Sequence, residues 1–302
     1  MKHDTAGDPM TDLKWTRKTT EKIARQLAKL GITVDAKTVG RILKELGYSL
    51  RVNSKKISSS QSPDRNAQFE YIEELREQFA SCGDPVASVD TKKKELVGNF
   101  KNNGAAWSQT PINVNDHDFR SMGQGIAVPY GIYDVEANLG FVFIGTSYDT
   151  PQFSVDSIEK WRRYYAQYRY KDAHRMLILA DCGGSNGYRN RAWKFGLQQL
   201  ADKTGVTIHV SHYPPGASKW NPIEHRLFSE ISKNWAGRPL DSYLTIKNYI
   251  STTETSTGLK VKAYMVPKIY QKGVKIDDFT MSTLNIIPAQ ILPKWNYAIA
   301  PR

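Results

Sequence analysis

Apolar residues recur at helical spacing in two short stretches near the start of the chain. The first covers residues 20–31 and the second residues 35–47, and a good N-cap residue, Thr20 or Asp35, begins each stretch. Each stretch ends in glycine, which commonly terminates a helix. Two helices joined by a short turn are typical of a helix-turn-helix unit. The alternative is a helical hairpin whose polar face is simply solvated.

The pattern changes after a Ser-rich, basic stretch at 51–62 and a predicted helix at 63–80. Runs of apolar and β-branched residues predict strands at 86–89, 126–133, 139–147, 176–180 and 206–210. Further helices are predicted at 155–168, 191–202 and 223–235. This alternation indicates an α/β fold with a mixed sheet covered by helices. Residues 261–302 contain four prolines and are expected to be irregular.

These elements divide the chain into four predicted segments. A helix-turn-helix segment occupies residues 1–52, and a linker with a connecting helix occupies 53–84. The α/β domain is expected at 85–260, followed by a C-terminal tail at 261–302.

Composition narrows the classes of protein that fit this pattern. None of the apolar runs in the 302 residues is long enough to span a membrane, and we find no signal peptide. Two cysteines cannot build a disulfide scaffold. We therefore expect a soluble, cytoplasmic protein. Its 42 Lys and Arg residues against 30 Asp and Glu residues give a net charge of +12, which favours a polyanionic partner.

The positive charge is concentrated at the predicted helix-turn-helix. Residues 14–56 alone carry a net charge of +9. Lys37, Arg41 and Lys44 recur every three or four residues on the second helix, on a different face from its apolar residues. A recognition helix needs such a face for phosphates and base edges. We therefore predict that Lys37, Arg41 and Lys44 bind double-stranded DNA.

Three acidic residues stand where predicted elements begin or end. Asp90 and Asp181 each follow an apolar strand, and Glu224 lies at the start of a helix that should face the sheet. An isolated charge at the rim of a hydrophobic core is costly, so such acids usually have a partner. Ligand-binding sites of open α/β sheets form at the carboxyl ends of the strands. Carboxylates are the ligands that Mg²⁺ and Mn²⁺ prefer, and a pair of such ions promotes phosphoryl transfer. The alternative is that the three are ordinary turn and capping acids.

Several basic and aromatic residues flank these acids. Lys92, Lys93 and Lys94 follow Asp90 and are predicted to contact the DNA backbone, the alternative being a solvated turn. Lys219 and Trp220 precede Glu224 and are also predicted DNA contacts. Trp220 would stack on a displaced base, and the alternative is that it is a packing anchor.

Other residues near the acids have different interpretations. The His-x-x-His spacing of His209 and His212 is weak evidence for zinc, and a hydrogen bond from His212 or His225 to a phosphate or water is the stronger alternative. Asp134 is predicted to be a hairpin-turn acid, and the glycine-rich stretch at 183–187 lacks the lysine of a nucleotide-binding loop.

Long motifs in the chain resemble those of the Rhodopirellula-type DDE transposases, the ISAzo group of insertion sequences. They are SVDTKKKELVGNFKN (88–102), LADCGGSNGYRNRAWK (179–194), SKWNPIEHRLFSEISKNW (218–235) and the closing WNYAIAPR (295–302). The resemblance covers nearly the whole chain. It implies a ribonuclease H-like catalytic domain in which Asp90, Asp181 and Glu224 form the DDE triad and hold two Mg²⁺ or Mn²⁺ ions.

The resemblance also implies a function. Such a transposase binds the ends of its element, cuts DNA and joins the freed 3′-hydroxyl to a target, as a homodimer or a larger assembly on DNA. It would act on the nucleoid of a prokaryotic cell. More DNA-binding sequence commonly precedes the helix pair in this group. The alternatives are an inert, transposase-derived DNA-binding protein and a ribonuclease H-like nuclease without strand transfer.

Overall fold

The computed structural model describes residues 5–7, 14–16, 18–50, 63–217 and 220–302. The chain divides into two compact units, Met1–Ile57 and Ser58–Arg302. Residues 51–62, the predicted linker, lie outside the described residues, and the division between the units falls among them.

The amino-terminal unit contains a short antiparallel hairpin, β1 (Thr5–Gly7) with β2 (Lys14–Thr16), and two helices, α1 (Thr20–Ala28) and α2 (Ala36–Glu45). Asp35 caps α2 as predicted, because its carboxylate accepts a hydrogen bond from the Thr38 amide at 2.6 Å. The cap of α1 is Thr19 instead of Thr20. A helix pair with a short turn is therefore present.

Few side chains of this unit are buried. Among its described residues, Ile23 and Val39 are the buried apolar side chains, at 3% exposure each. Leu46, which directly follows α2, is 66% exposed. Since so little apolar surface is buried, this pair of helices has only a small core of its own.

The larger unit is built on a mixed sheet, in which nine strands lie among the described residues 63–302. The strands are β3 (Val86–Thr91), β4 (Glu95–Val97), β5 (Gly125–Asp134), β6 (Leu139–Gly145), β7 (Arg175–Ala180), β8 (Thr207–His212), β9 (Lys260–Val266), β10 (Ile286–Pro288) and β11 (Asn296–Ile299). Their order across the sheet is β10-β11-β8-β7-β3-β5-β6-β9, and β4 pairs with β5.

The five central strands define the fold. Strand β3 pairs parallel with β7, which pairs parallel with β8. On its other side β3 pairs antiparallel with β5, which pairs antiparallel with β6. The resulting order, third-second-first-fourth-fifth with the second strand reversed, is that of the ribonuclease H-like fold. The predicted mixed α/β architecture is confirmed.

The expectation that residues 261–302 are irregular is wrong. Strand β9 extends the sheet beyond β6, and β11 and β10 extend it beyond β8. The alternation in Lys260–Val266, where Val261 and Ala263 are buried and the intervening lysines are exposed, is the signature of a half-buried strand. Strands β10 and β11 are too short to show such a pattern.

Helices cover both faces of this sheet. They are α3 (Arg65–Ser81), α4 (Pro151–Trp161), α5 (Gln167–Arg169), α6 (Arg191–Thr204), α7 (Ser229–Asn234), α8 (Tyr243–Ser251) and α9 (Asp278–Ser282). Single π-helical turns occupy Arg162–Ala166 and Glu224–Phe228, and 3₁₀ turns occupy Arg120–Met122 and Gly184–Asn186. None of the helices in the described ranges is long and apolar enough to cross a lipid bilayer.

Three buried clusters hold the layers together. Helices α4 and α6 pack on the sheet through Phe153, Trp161 and Trp193, all fully buried. The second cluster contains apolar residues from Ile223 onwards together with apolar residues of α8. Helix α3 contributes Ile72 and Phe79 to the third cluster, which includes residues of β7. The helix predicted as a connector is therefore part of the core of the larger unit.

Candidate active site

Asp90 and Asp181 lie side by side because of the register between two parallel strands. Val89 on β3 pairs with Ala180 at the end of β7, and each acid is the next residue in its chain. Both strands are apolar and buried up to this point. The acids therefore emerge together at the carboxyl edge of the sheet, where sites form in open α/β folds.

Glu224 reaches the same edge because two glycines let its helix approach the sheet. Gly131 pairs with Asp90, and a Cβ atom at Gly131 would lie 2.5 Å from the Phe228 ring and 2.9 Å from Ile223 Cδ1. A Cβ atom at Gly140 would collide with Leu227. Glu224 is the first residue of the π-helical turn, a type of turn that is frequent at functional sites.

The three carboxyl groups interact electrostatically. Burial, followed by the neighbouring charge of Asp181, raises the pKa of Asp90 to about 8. Burial and the charge of Asp181 also raise the pKa of Glu224, against smaller opposing effects of Lys92 and His225. Burial raises the pKa of Asp181 itself. Partly buried acids that repel one another are stabilised by a bound cation or by a proton.

Asn221 links the segments that carry the acids. Its Nδ2 donates a hydrogen bond to Asp181 Oδ1 at 3.1 Å, and its Oδ1 accepts one from the hydroxyl of Ser88 on β3. The Ser88 hydroxyl in turn accepts a hydrogen bond from the Ile223 amide at 3.2 Å. Asn221 and Ser88 are fully buried. The sequence analysis missed both residues, although Asn221 lies within the Asn-Pro-Ile-Glu motif.

A fourth acid, Asp149, stands close to Asp90 and was also missed. Its Oδ1 accepts a hydrogen bond from the Thr91 hydroxyl at 3.1 Å, while the Thr91 amide donates to Asp90 Oδ1 at 2.7 Å. The charge of Asp149 adds to the raised pKa of Asp90. Thr91 therefore connects the two acids through its backbone and its side chain.

Asp90 and Asp181 border an open cleft of about 600 Å³. Its walls are formed by the segment after β7 and the segment after β8. The lining residues are Asp90, Asp181, Cys182, Gly183, Gly184, Tyr188, Arg189, Pro214, Pro215 and Gly216. A Cβ atom at Gly183 or Gly184 would meet no atom within 4 Å, so this wall is open to an approaching ligand.

The structure separates the three lysines that follow Asp90. Lys93 and Lys94 are exposed, and Lys94 Nζ lies 3.7 Å from an oxygen of Asp149. Lys92 is 7% exposed, forms an ion pair with Glu95 at 3.0 Å and lies 4.6 Å from the centre of the Trp235 ring. Burial removes Lys92 from the set of predicted backbone contacts. Its charge acts on Glu224 instead.

The remaining predicted DNA contacts occupy varied surroundings. Lys37, Arg41 and Lys44 are exposed on α2, where Arg41 also forms an ion pair with Glu45 at 2.6 Å. Trp220 is 45% exposed. Lys219 lies outside the described residues.

Two secondary predictions are settled by hydrogen bonds. Asp134 accepts a hydrogen bond from the Ala137 amide at 3.0 Å, which confirms it as a hairpin-turn acid. His212 is fully buried and both of its ring nitrogens are bonded within the protein, which leaves His225 as the candidate for a bond to a phosphate or water.

The donor set of the site is suited to a hard divalent cation. Asp90, Asp181 and Glu224 offer carboxylate oxygens only, and such oxygens are the ligands that Mg²⁺ and Mn²⁺ favour. Within the described ranges, no three or more His, Cys, Asp or Glu side chains are already arranged to hold a metal ion. The chemistry of the donors fits a divalent metal, and the mutual repulsion of the carboxylates would be relieved by it.

A ribonuclease H-like sheet with acids on its first strand, its fourth strand and a later helix has the layout expected of DDE transposases. The family comparison agrees with this class. Residues 1–301 match the family model described as the Rhodopirellula transposase DDE domain, and the chain belongs to that family. No curated protein matches the chain.

Solved structures similar to this chain are complexes of the Mos1 transposase. A paired-end complex with the left transposon end is 17% identical over 77% of this chain, with a TM-score of 0.43. A Mos1 strand transfer complex is 15% identical over 77% of this chain, with a TM-score of 0.45. A Mos1 mariner paired-end complex with Mn is 16% identical over 77% of this chain, with a TM-score of 0.44. The match spans 64–65% of the length of these Mos1 chains.

Proposed function

We propose that this chain is the transposase of an insertion sequence, which binds the ends of its element and catalyses metal-dependent DNA cleavage and strand transfer. The convergence of Asp90, Asp181 and Glu224 at one edge of the sheet carries the proposal. Family membership supports it, because the chain matches a DDE transposase domain along nearly its whole length.

Asp90, Asp181 and Glu224 would together hold two Mg²⁺ or Mn²⁺ ions. When bound, such a pair supplies activation of a water or a 3′-hydroxyl and stabilisation of the attacking and leaving oxygens of phosphoryl transfer. Asp90 must release its proton to become a ligand, since its pKa is raised to about 8. Asn221 keeps Asp181 oriented through the hydrogen bond to Oδ1.

The cleft beside the acids would admit one DNA strand. Gly183 and Gly184 allow the backbone of the strand to approach Asp181, and the exposed Lys93 and Lys94 supply positive charge near Asp90. No covalent protein–DNA intermediate is required. Cys182 is not suited to form one, because burial raises the pKa of its thiol to about 12.

Residues 1–52 would hold the element end through Lys37, Arg41 and Lys44 on α2, and residues 85–260 would carry out catalysis. Lys219 and Trp220, which precede Glu224 in the sequence, would also contact DNA. One visible helix-turn-helix holds one end per chain, so a concerted reaction on two ends needs at least two chains. A prokaryotic insertion-sequence transposase of this kind would act at the nucleoid.

The test begins with DNA that flanks the gene. The full chain is incubated with end-labelled duplexes of this DNA and Mg²⁺, and the new 3′ ends are mapped. Pre-cut ends are then offered together with a plasmid target. Cleavage at the element boundary followed by joining supports a transposase. Cleavage without joining identifies a nuclease, and binding without cleavage identifies an inert DNA-binding protein.

Two further measurements refine the test. Asp90→Asn, Asp181→Asn and Glu224→Gln should each abolish cleavage and keep DNA binding, whereas equal loss of both would show that the trio is structural. Light scattering of the cleavage-competent complex should show at least two chains. A competent complex with a single chain would contradict the proposed assembly.

A further inference from the structure

A chain of three buried hydrogen bonds leads from α6 to the backbone of Asp181. The indole Nε1 of Trp193 donates to the hydroxyl of Tyr297 at 3.1 Å. This hydroxyl lies 3.2 Å from Nε2 of His212, and Nδ1 of His212 lies 3.0 Å from the carbonyl oxygen of Asp181. The three side chains come from α6, β11 and β8.

The direction of each hydrogen bond follows from the chemistry of the two ends. An indole N–H can only donate, and a carbonyl oxygen can only accept. Nδ1 of His212 must therefore carry a proton and donate it to Asp181. The hydroxyl of Tyr297, which accepts from Trp193, then donates its own proton to Nε2 of His212. A neutral imidazole protonated on Nδ1 satisfies every partner.

Burial makes this arrangement specific. Trp193 and His212 are fully buried, and Tyr297 is 3% exposed. An imidazolium at this depth would be costly because no carboxylate is bonded to it. Loss of any member would leave a buried donor or acceptor without its partner. The chain of hydrogen bonds therefore has one favourable arrangement of its protons.

The strand that carries Tyr297 is itself held in place from the opposite face of the sheet. The side chain of Asn296 exchanges two hydrogen bonds with Gln68 on α3, at 2.7 and 2.8 Å, and accepts one from Ser211 at 2.6 Å. Gln68 also donates to the carbonyl oxygen of His212 at 2.9 Å. Successive residues of β11 thus secure α3 on one face and His212 on the other.

Asp181 is consequently held at two points. Asn221 binds its carboxylate and His212 binds its backbone carbonyl. We propose that Tyr297 and His212 are positioning residues, which act through the carbonyl of Asp181 to aim its carboxylate at the divalent metal of the site. The inference rests on the proposed function in so far as Asp181 is a metal ligand. It assigns to β11 a role in the reaction.

The principal test compares Tyr297→Phe with a matched control, Tyr270→Phe. Tyr270 is also buried, at 2% exposure, and its hydroxyl donates to Asp156 at 2.9 Å. Asp156 keeps its ion pair with Lys268 at 2.7 Å when that hydroxyl is removed. Each substitution therefore removes one buried hydroxyl and keeps the ring.

We expect Tyr297→Phe to raise the Mn²⁺ concentration for half-saturation, read from free Mn²⁺ by electron paramagnetic resonance, by roughly 10- to 100-fold. Single-turnover cleavage at a fixed, subsaturating Mn²⁺ concentration should fall to a similar extent, and excess Mn²⁺ should restore much of it. DNA affinity should stay unchanged. Tyr270→Phe should match the wild type in all three measurements. Equal Mn²⁺ affinity in the two variants would overturn the inference.

A third readout does not depend on metal or cleavage. In spectra of protein labelled with ¹⁵N-histidine, the Nδ1 proton of His212 should be protected from exchange in the wild type and exchange at least tenfold faster in Tyr297→Phe. A proton on Nε2, or unchanged exchange, would overturn the inference. If the wild type neither binds Mn²⁺ nor cuts DNA, the proposed function fails, while this exchange measurement still decides whether the hydrogen-bond chain exists.

Should Tyr297→Phe fail to fold, Trp193→Phe provides a second variant. It removes the donor that holds the Tyr297 hydroxyl and keeps the bond between Tyr297 and His212. The shifts in Mn²⁺ affinity and in exchange of the His212 proton should have the same sign as those expected for Tyr297→Phe and should be smaller. No shift in either would overturn the inference.

Discussion

Asn221 Nδ2 lies 3.1 Å from Asp181 Oδ1, so the loop before Glu224 is bonded directly to the acid that follows β7. The same side chain accepts a hydrogen bond from Ser88, two residues before Asp90. One buried amide therefore contacts two of the three segments that carry the acids and lies three residues before the third acid. The geometry of the whole site depends on it.

Asn221→Ala should disturb the site more than the fold. Loss of the amide removes the acceptor of the Ser88 hydroxyl and the donor to Asp181, which should lower the free energy of unfolding by about 1–3 kcal/mol. Cleavage should fall by about 10- to 100-fold, because ligating carboxylates depend on such partners. Urea unfolding and single-turnover cleavage measure the two effects.

A double-mutant cycle provides the control for this prediction. In an Asp181→Ala background, Asn221→Ala should cause no further loss of metal affinity if Asn221 acts through Asp181. Additive losses would contradict this role.

Gly131→Ala should push the helix of Glu224 away from the sheet. The new methyl group would lie 2.5 Å from the Phe228 ring, closer than real Cβ atoms approach. Overpacking of this kind costs about 1–3 kcal/mol, and it should also lower cleavage by displacing Glu224. Thermal unfolding and cleavage are measured together. Gly183→Ala is the matched control, since its Cβ atom meets no atom within 4 Å and should leave the unfolding temperature unchanged.

Asp134 should make stability depend on pH. Burial raises the pKa of its carboxyl group above the value of 3.8 expected in the unfolded chain. The folded protein therefore holds this proton more tightly, and stability is greatest below the unfolded pKa and falls as pH rises towards the folded pKa. Asp134→Asn removes this dependence, so the free energy of unfolding of the variant should increase relative to that of the wild type as the pH rises above the unfolded pKa.

The control for Asp134 lies in the same hairpin turn. Glu136 is exposed, and Glu136→Gln is measured over the same range of pH as the surface variant for comparison. Urea unfolding at several pH values distinguishes the two variants. A constant difference for Asp134→Asn would show that burial does not perturb its carboxyl group.

Lys37, Arg41 and Lys44 should set the salt dependence of DNA binding. Replacement of all three by Gln should weaken binding and reduce the slope of log affinity against log salt by about 0.9 for each phosphate that is no longer neutralised. Fluorescence anisotropy over a range of salt concentrations measures the slope. The control is a triple variant on the larger unit, Lys171→Gln with Lys260→Gln and Lys275→Gln. This control should leave the slope nearly unchanged. An unchanged slope in the α2 variant would place the DNA elsewhere.

The sequence predicted the elements that carry strong local patterns. Strand β7 is an apolar run followed by an acid, and β3 is mostly apolar before Asp90, so both the strands and the acids could be recognised from the sequence. The cap at Asp35 and the hairpin turn at Asp134 also have local signatures. These features depend on neighbours in sequence.

The features that were missed depend on partners far away in sequence. Lys92 is buried beside Trp235, and no spacing rule connects these two residues. Asn221 and Ser88 lie on separate elements and meet only after the sheet forms. Strands β10 and β11 take their regularity from pairing with each other and with β8, because a segment of three or four residues has no detectable period.

The parallel pairing of β3 with β7 also has a consequence for how the protein folds. Val86 pairs with Leu177, so the whole β5–β6 hairpin and α4 intervene between two neighbouring strands. Closing so long a loop is slow, and contacts of this kind form late. Asp90 and Asp181 therefore come together only when the central sheet closes. A partly folded chain in which β3 and β7 are not yet paired would therefore lack the paired acids that the proposed cleavage requires.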